Sequence, residues 1–120
     1  MVTIVPADDT LRQELCAADM GSAVECLVLL DGNRQAGYIL YAGEGSALRI
    51  VELRTKQPMF ADGLLRAAMN RALAQGMDRA VCAVDDLKPM LFQMGFVAQG
   101  NDAAVSLRGF FDKPCCGRTL

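Results

Sequence analysis

The sequence predicts an α/β (α+β) protein, with a mixed, mainly antiparallel central sheet of about six to seven strands flanked by about three helices. Three strand-like runs, Ala23–Leu30, Gln35–Tyr41 and Leu48–Leu53, follow one another across short turns. That succession is the pattern of an antiparallel meander. A long amphipathic helix, Phe60–Gln75, comes next, and its apolar stripe must lie on a sheet. After Gly76 the pattern alternates strand, helix, strand, strand, so the meander opens onto a crossover.

Val2–Val5 reads as a short strand closed by Pro6. Thr10 and Gln13 have capping-box spacing, and Leu11, Leu15 and Ala18 share one face of a short helix ending near Gly21. Asp31-Gly32-Asn33 and Gly43-Glu44-Gly45 are turns around the second strand of the meander. Arg49 and Glu52 stand among apolar neighbours on the third.

In the long helix, Phe60, Leu64, Ala68 and Ala72, with Leu65, Met69 and Leu73 alongside, form one wide stripe. Asp62 in the first turn and Arg66 four residues on occupy the opposite side, and Gly76 is the stop. Arg79–Val84 is a strand buried on both faces. Asp85 or Asp86 caps a second helix, with Pro89 in its first turn and Leu87, Met90, Leu91 and Met94 on one face. Gly95 ends that helix, Phe96 re-enters the sheet, and Ala103–Leu107 is the last strand. Residues 1–108 make one domain and residues 109–120 a tail.

Composition excludes more than it includes. A chain of 120 residues with 52% hydrophobic content is long and apolar enough for one real core. The net charge of −2, with no Lys/Arg cluster, lacks the footprint of a nucleic-acid surface. No apolar run approaches the roughly 18–20 residues that span a bilayer, and Met1–Thr10 lacks the basic and apolar regions of a signal peptide. A cytoplasmic protein with reduced cysteines is expected. There is no histidine, which removes imidazole bases, Ser-His and Cys-His nucleophiles and His-ligated metals.

The order of elements over about residues 1–108, the spacing from Leu64-Leu65 to Gly76 and the closing Met94-Gly95-Phe96 resemble the GNAT superfamily of acyl-CoA-dependent N-acyltransferases. That family's loop reads Q/R-x-x-G-x-G/A ahead of the long helix. Here it falls on Lys56-Gln57-Pro58-Met59-Phe60-Ala61, just after Leu53 at the strand end. Lys56 replaces Arg or Gln, Met59 replaces the first Gly, and Ala61 fits. Relatives usually carry two helices near the N-terminus, where this chain has room for one.

The resemblance implies acetyl-CoA or another acyl-CoA as cofactor. A bulge or splay of the central strand would meet the pantetheine arm, and the helix N-terminus the diphosphate. It also implies that a carboxylate on or near the central strand takes a proton from an amine. Glu52 is the candidate general base, on the expectation that an apolar strand raises its pKa; the competing reading is an ion pair with Arg49 or Arg54. The family's usual acid, a Tyr four residues before the helix-ending Gly, is Leu91 here. Tyr38 and Tyr41 are the only tyrosines, either candidates facing the cleft or ordinary cross-strand residues.

The tail carries Phe110-Phe111, read as anchors, and Cys115-Cys116 between Lys113 and Arg118. These vicinal thiols are candidates for a reactive or soft-metal-binding pair. A disulfide between them would be strained, since adjacent Cα atoms lie ~3.8 Å apart. Cys26 and Cys82 sit on core strands and read as small buried residues. The expected partners are thus a small-molecule acyl-CoA and an amine. The rival reading is a non-catalytic module that binds or forms a homodimer through the same fold, with a thiol tail.

Overall fold

The computed structural model describes residues 2–7 and 24–112. The helix expected between Thr10 and Gly21, and the thiols Cys115 and Cys116, lie outside the described residues. Those residues form seven strands and three α-helices: β1 (Val2–Pro6), β2 (Val24–Asp31), β3 (Arg34–Glu44), β4 (Ala47–Thr55), α1 (Pro58–Ala74), β5 (Arg79–Cys82), α2 (Lys88–Gln93), β6 (Val97–Gln99), β7 (Asp102–Ser106) and α3 (Leu107–Asp112). A 3₁₀ turn, Asp85–Leu87, precedes α2.

One sheet holds all seven strands in the order β1-β2-β3-β4-β5-β7-β6. Only β4 and β5 pair in parallel, because α1 carries the chain back between them. The other neighbours are antiparallel. Gly32, at a φ of 67°, supplies the left-handed residue that the tight turn from Asp31 to Arg34 requires.

α1 covers one face of the sheet. Leu64, Leu65, Ala68, Met69 and Ala72 interlock with Leu27, Leu29, Ile39, Leu48, Ile50 and Leu53 in one cluster. Each fully buried leucine there contributes roughly 1.5–3 kcal/mol. The opposite face carries a smaller cluster of Val24, Cys26, Val28 and Leu40, with Tyr38 and Val51 against it.

Both α1 and α2 end in the same way. Past α1, Gly76 N–H donates to Leu73 C=O and Met77 N–H to Ala72 C=O; past α2, Gly95 N–H donates to Phe92 C=O and Phe96 N–H to Leu91 C=O. These paired bonds with a glycine at positive φ are Schellman caps.

Several element ends differ from the sequence reading. α1 begins at Pro58, where a missing N–H costs nothing, so Asp62 falls in the second turn, paired with Arg66 at 2.9 Å. Asp85 does not cap α2 through its side chain but reaches Lys88 at 3.0 Å. β5 stops at Cys82, short of Val84. β7 ends at Ser106, whose Oγ accepts from Gly109 N–H at 3.2 Å and so starts α3, a helix the strand pattern did not foretell.

Candidate active site

The site grows out of an irregularity in β4. Its pairing with β3 runs Tyr41 to Ile50 and then Leu40 to Glu52, leaving Val51 as the extra residue of a β-bulge. The bulge shifts the phase of the strand: Leu48 and Ile50 face α1, and so does Leu53, although a regular period of two would turn Leu53 away. Val51 packs on the opposite face.

On its other side β4 loses its neighbour at the same level. The parallel pairing with β5 ends at Ile50 and Cys82, and the chain turns away into Asp85–Leu87. From Val51 to Thr55 the strand therefore has β3 on one edge and, among the described residues, no strand on the other. An extended backbone with one open edge pairs with an extended ligand.

Two residues beyond Thr55, α1 starts. Gln57 is its N-cap residue and makes no side-chain cap, so its side chain satisfies none of the first-turn amides. Lys56, Gln57, Pro58 and Met59 are all exposed. Met59, at 70% exposure, leaves the corner open to solvent, while Phe60 packs into the main core and Ala61 is buried. The loop thus presents one cation, Lys56, and the small buried Ala61 under the first turn. Pro58 removes one amide donor.

Glu52 lies just past the bulge on the sheet face away from α1. Tyr38 Oη donates to its Oε2 at 2.6 Å and Arg54 Nε donates to the same oxygen at 2.6 Å. Oε1 has no partner among the described residues, and the side chain is 28% exposed. The hydrogen bond from Tyr38, together with Arg54, outweighs burial and holds the Glu52 carboxyl below its ordinary value. This corrects the expectation of a raised pKa: the strand is apolar, but the carboxylate has two donors. Arg54 is the cation that pairs with it. Arg49 instead spans the sheet, bonded to Glu44 at 2.9 and 3.0 Å and to Asp102 at 3.4 Å.

The two tyrosines separate. Burial and the Glu52 carboxylate push the Tyr38 hydroxyl up to about 12, so it stays protonated and fixes Glu52. Tyr41 is buried beneath α1 and belongs to the main core. Burial raises its pKa, with Arg71 near the far end of α1 acting against it. The structure thus brings Tyr38 to Glu52 and leaves Tyr41 on the opposite face. Leu91 is fully buried and offers no proton donor. A surface concavity of about 440 Å³ lies elsewhere, beside Arg79, Val97 and Ser106 at the β6–β7 margin, away from the open half of β4.

Two features of the candidate site escaped the sequence reading: Val51 as a bulge residue, and the convergence of Tyr38 and Arg54 on one oxygen. The first had a signal, the parity change between Ile50 and Leu53.

No protein-family model matches the chain, and no curated protein matches it in sequence. Solved structures do match. The ribosomal-protein-S18-alanine N-acetyltransferase of Escherichia coli is 12% identical with a TM-score of 0.69, the match covering 89% of this chain and 94% of that one. A Bacillus subtilis acetyltransferase in complex with CoA is 16% identical with a TM-score of 0.66, over 83% and 79% of the two chains. An acetyltransferase of the GNAT family from Staphylococcus aureus Mu50 is 9% identical with a TM-score of 0.67, over 89% and 99%. The chain has a GNAT-like fold.

Proposed function

We propose that this protein is an acyl-CoA-dependent N-acyltransferase acting on a small amine, with acetyl-CoA as the first donor to test. The observation that carries this reading is the coincidence, within ten residues of chain, of a bulge at Val51, an open strand edge to Thr55 and an uncapped helix start at Gln57. Bound acyl-CoA supplies an activated thioester. The residues present fit it: the open edge of Val51–Thr55, with Leu53 beneath, accommodates an extended arm. Lys56, Gln57 and the backbone from Met59 to Ala61 face its phosphates at the positive end of α1.

Glu52 is the base in this proposal. Tyr38 and Arg54, bonded to Oε2, keep it ionised at neutral pH, so it attracts and orients an ammonium group; its lowered pKa makes it a weak base, and the proton passes on through water to solvent. The freed amine then attacks the thioester. Tyr38 is a positioning residue, since a hydroxyl of pKa about 12 is a poor acid. With Leu91 in place of a donor, the thiolate leaves without a dedicated acid.

Titration with acetyl-CoA tests the reading, followed by calorimetry and thermal unfolding. Binding to the native state alone adds about 2.7 kcal/mol at a ligand concentration a hundred times Kd, seen as a rise in Tm. A Tm unmoved by millimolar acetyl-CoA would remove the donor and with it the proposal. Binding without transfer to any of a panel of primary amines would favour the non-catalytic module, for which the buried Leu91 already speaks.

A further inference from the structure

We infer, resting on the acyltransferase reading, that the acceptor is a free α-amino acid, with its ammonium group on Glu52 and its carboxylate on Arg54. Arg54 donates through Nε to Glu52 Oε2 at 2.6 Å, and the N–H groups on its two Nη atoms pair with no carboxylate among the described residues. The side chain is 74% exposed, which leaves that edge of the guanidinium within reach of solvent. A planar fork of this kind takes a carboxylate through two parallel hydrogen bonds. Arg49, on the same strand, is the contrast. Its Nε, Nη1 and Nη2 are all bonded already, to Glu44 and Asp102.

Strand register sets the other half of the pair. Tyr38 is the cross-strand partner of Arg54, and its hydroxyl donates to Glu52 Oε2 at 2.6 Å. Both bonds to Glu52 therefore land on one oxygen, and Oε1 has no partner among the described residues. An α-amino acid carries its ammonium and carboxylate on a single carbon, so its two charges lie as close together as those of Glu52 and Arg54. Laid alongside in one direction, each charge meets its opposite; in the other, each meets its like and is repelled. An ion pair this exposed adds little to folding stability.

The weak basicity of Glu52 points the same way. Its carboxyl is held below its ordinary value, first by the hydrogen bond from Tyr38, so an acceptor that gives up its proton readily is favoured. An α-ammonium titrates below the ammonium of a lysine side chain. In the step, the ammonium loses one proton to water and the amine nitrogen bonds to the thioester carbonyl carbon. The C–S bond then breaks with its electron pair on sulfur, and a second proton leaves nitrogen for solvent. The products are an N-acyl amino acid and the CoA thiolate.

The test supplies acetyl-CoA with the common α-amino acids, each beside its carboxamide and its decarboxylated amine, and reads free CoA by chromatography. At least one acid should show a kcat/KM about tenfold above both of its analogues, the difference lying in KM. In Arg54→Gln that ratio should fall toward one, whatever the substitution does to the rate common to all three compounds, and Arg54→Lys should keep part of it. The comparison on the unmodified chain needs no variant to fold. Analogues used as well as the acids, a ratio unmoved in Arg54→Gln, or transfer to none of the acids by a chain that binds acetyl-CoA overturns the amino-acid assignment. A chain that does not bind acetyl-CoA overturns the acyltransferase reading, and the assignment with it.

Discussion

β4 is one strand with two lives. From Ala47 to Ile50 it is paired on both edges, its inward residues Leu48 and Ile50 buried under α1, and Arg49 ties it to β3 and β7. From Val51 onward it is bulged and, among the described residues, has no strand on one edge and no partner for one oxygen of an ionised Glu52. The composition of the two halves is similar. What separates them is the neighbour: β5 stops after four residues, and no strand among the described residues covers the half beyond it. The proposed site begins where that partner ends.

The largest expected effect tests the open half. Glu52→Gln should lower acyl transfer by roughly 10²–10⁴-fold while changing unfolding free energy by less than about 1 kcal/mol. If the amine panel turns over at the original rate, Glu52 is only a partner for Arg54. The closed half should answer in the opposite sense. Ile50→Ala, at a site 2% exposed, should cost about 2–5 kcal/mol in denaturant unfolding; a loss below 1 kcal/mol would mean that the two halves are not distinct.

Deleting Val51 makes the β3–β4 pairing regular without moving the partners of Leu53. Acetyl-CoA affinity measured by calorimetry should fall about tenfold, or 1.4 kcal/mol, and unchanged affinity would strip the bulge of its role. The smallest effect concerns pH. The folded Tyr38 pKa of about 12 exceeds the free value of 10.0, so its contribution to stability is complete below the free value and is lost as pH rises through the folded one.

Glu52 has the reverse sign: its lowered pKa contributes above the ordinary carboxylate range and is lost as pH falls through the folded value. Tyr38→Phe should abolish the tyrosinate absorbance step near 12 and raise the Glu52 pKa, read by NMR titration. A Glu52 pKa unmoved by the substitution would show that Arg54 alone sets it.

Much of the fold was legible in the sequence. The stripe from Phe60 to Leu73 marks the buried face of α1, the glycines at 76 and 95 mark the ends of α1 and α2, and the short turns at Asp31-Gly32-Asn33 and Gly43-Glu44-Gly45 join β2, β3 and β4 into the meander. α3 was not legible: Leu107-Arg108-Gly109 has no helical period, and the helix exists because Ser106 caps it and Phe110 and Phe111 find the core. Within the site, the position of Glu52 on the strand was readable but its charge state was not. Its pKa depends on Tyr38, fourteen residues away, which only strand register brings near. The parity break at Val51 was visible in the letters and marks where local pattern carried more than was taken from it.

The shortness of β5 has a mechanical corollary. Strands β1 to β4 form one panel and β5, β7 and β6 another, stitched along only four residue pairs. Arg49 acts as a rivet across that seam, gripping Glu44 on the first panel and Asp102 on the second. The bridge therefore sits at the level where the two panels are still paired, just short of the point at which β4 continues without β5.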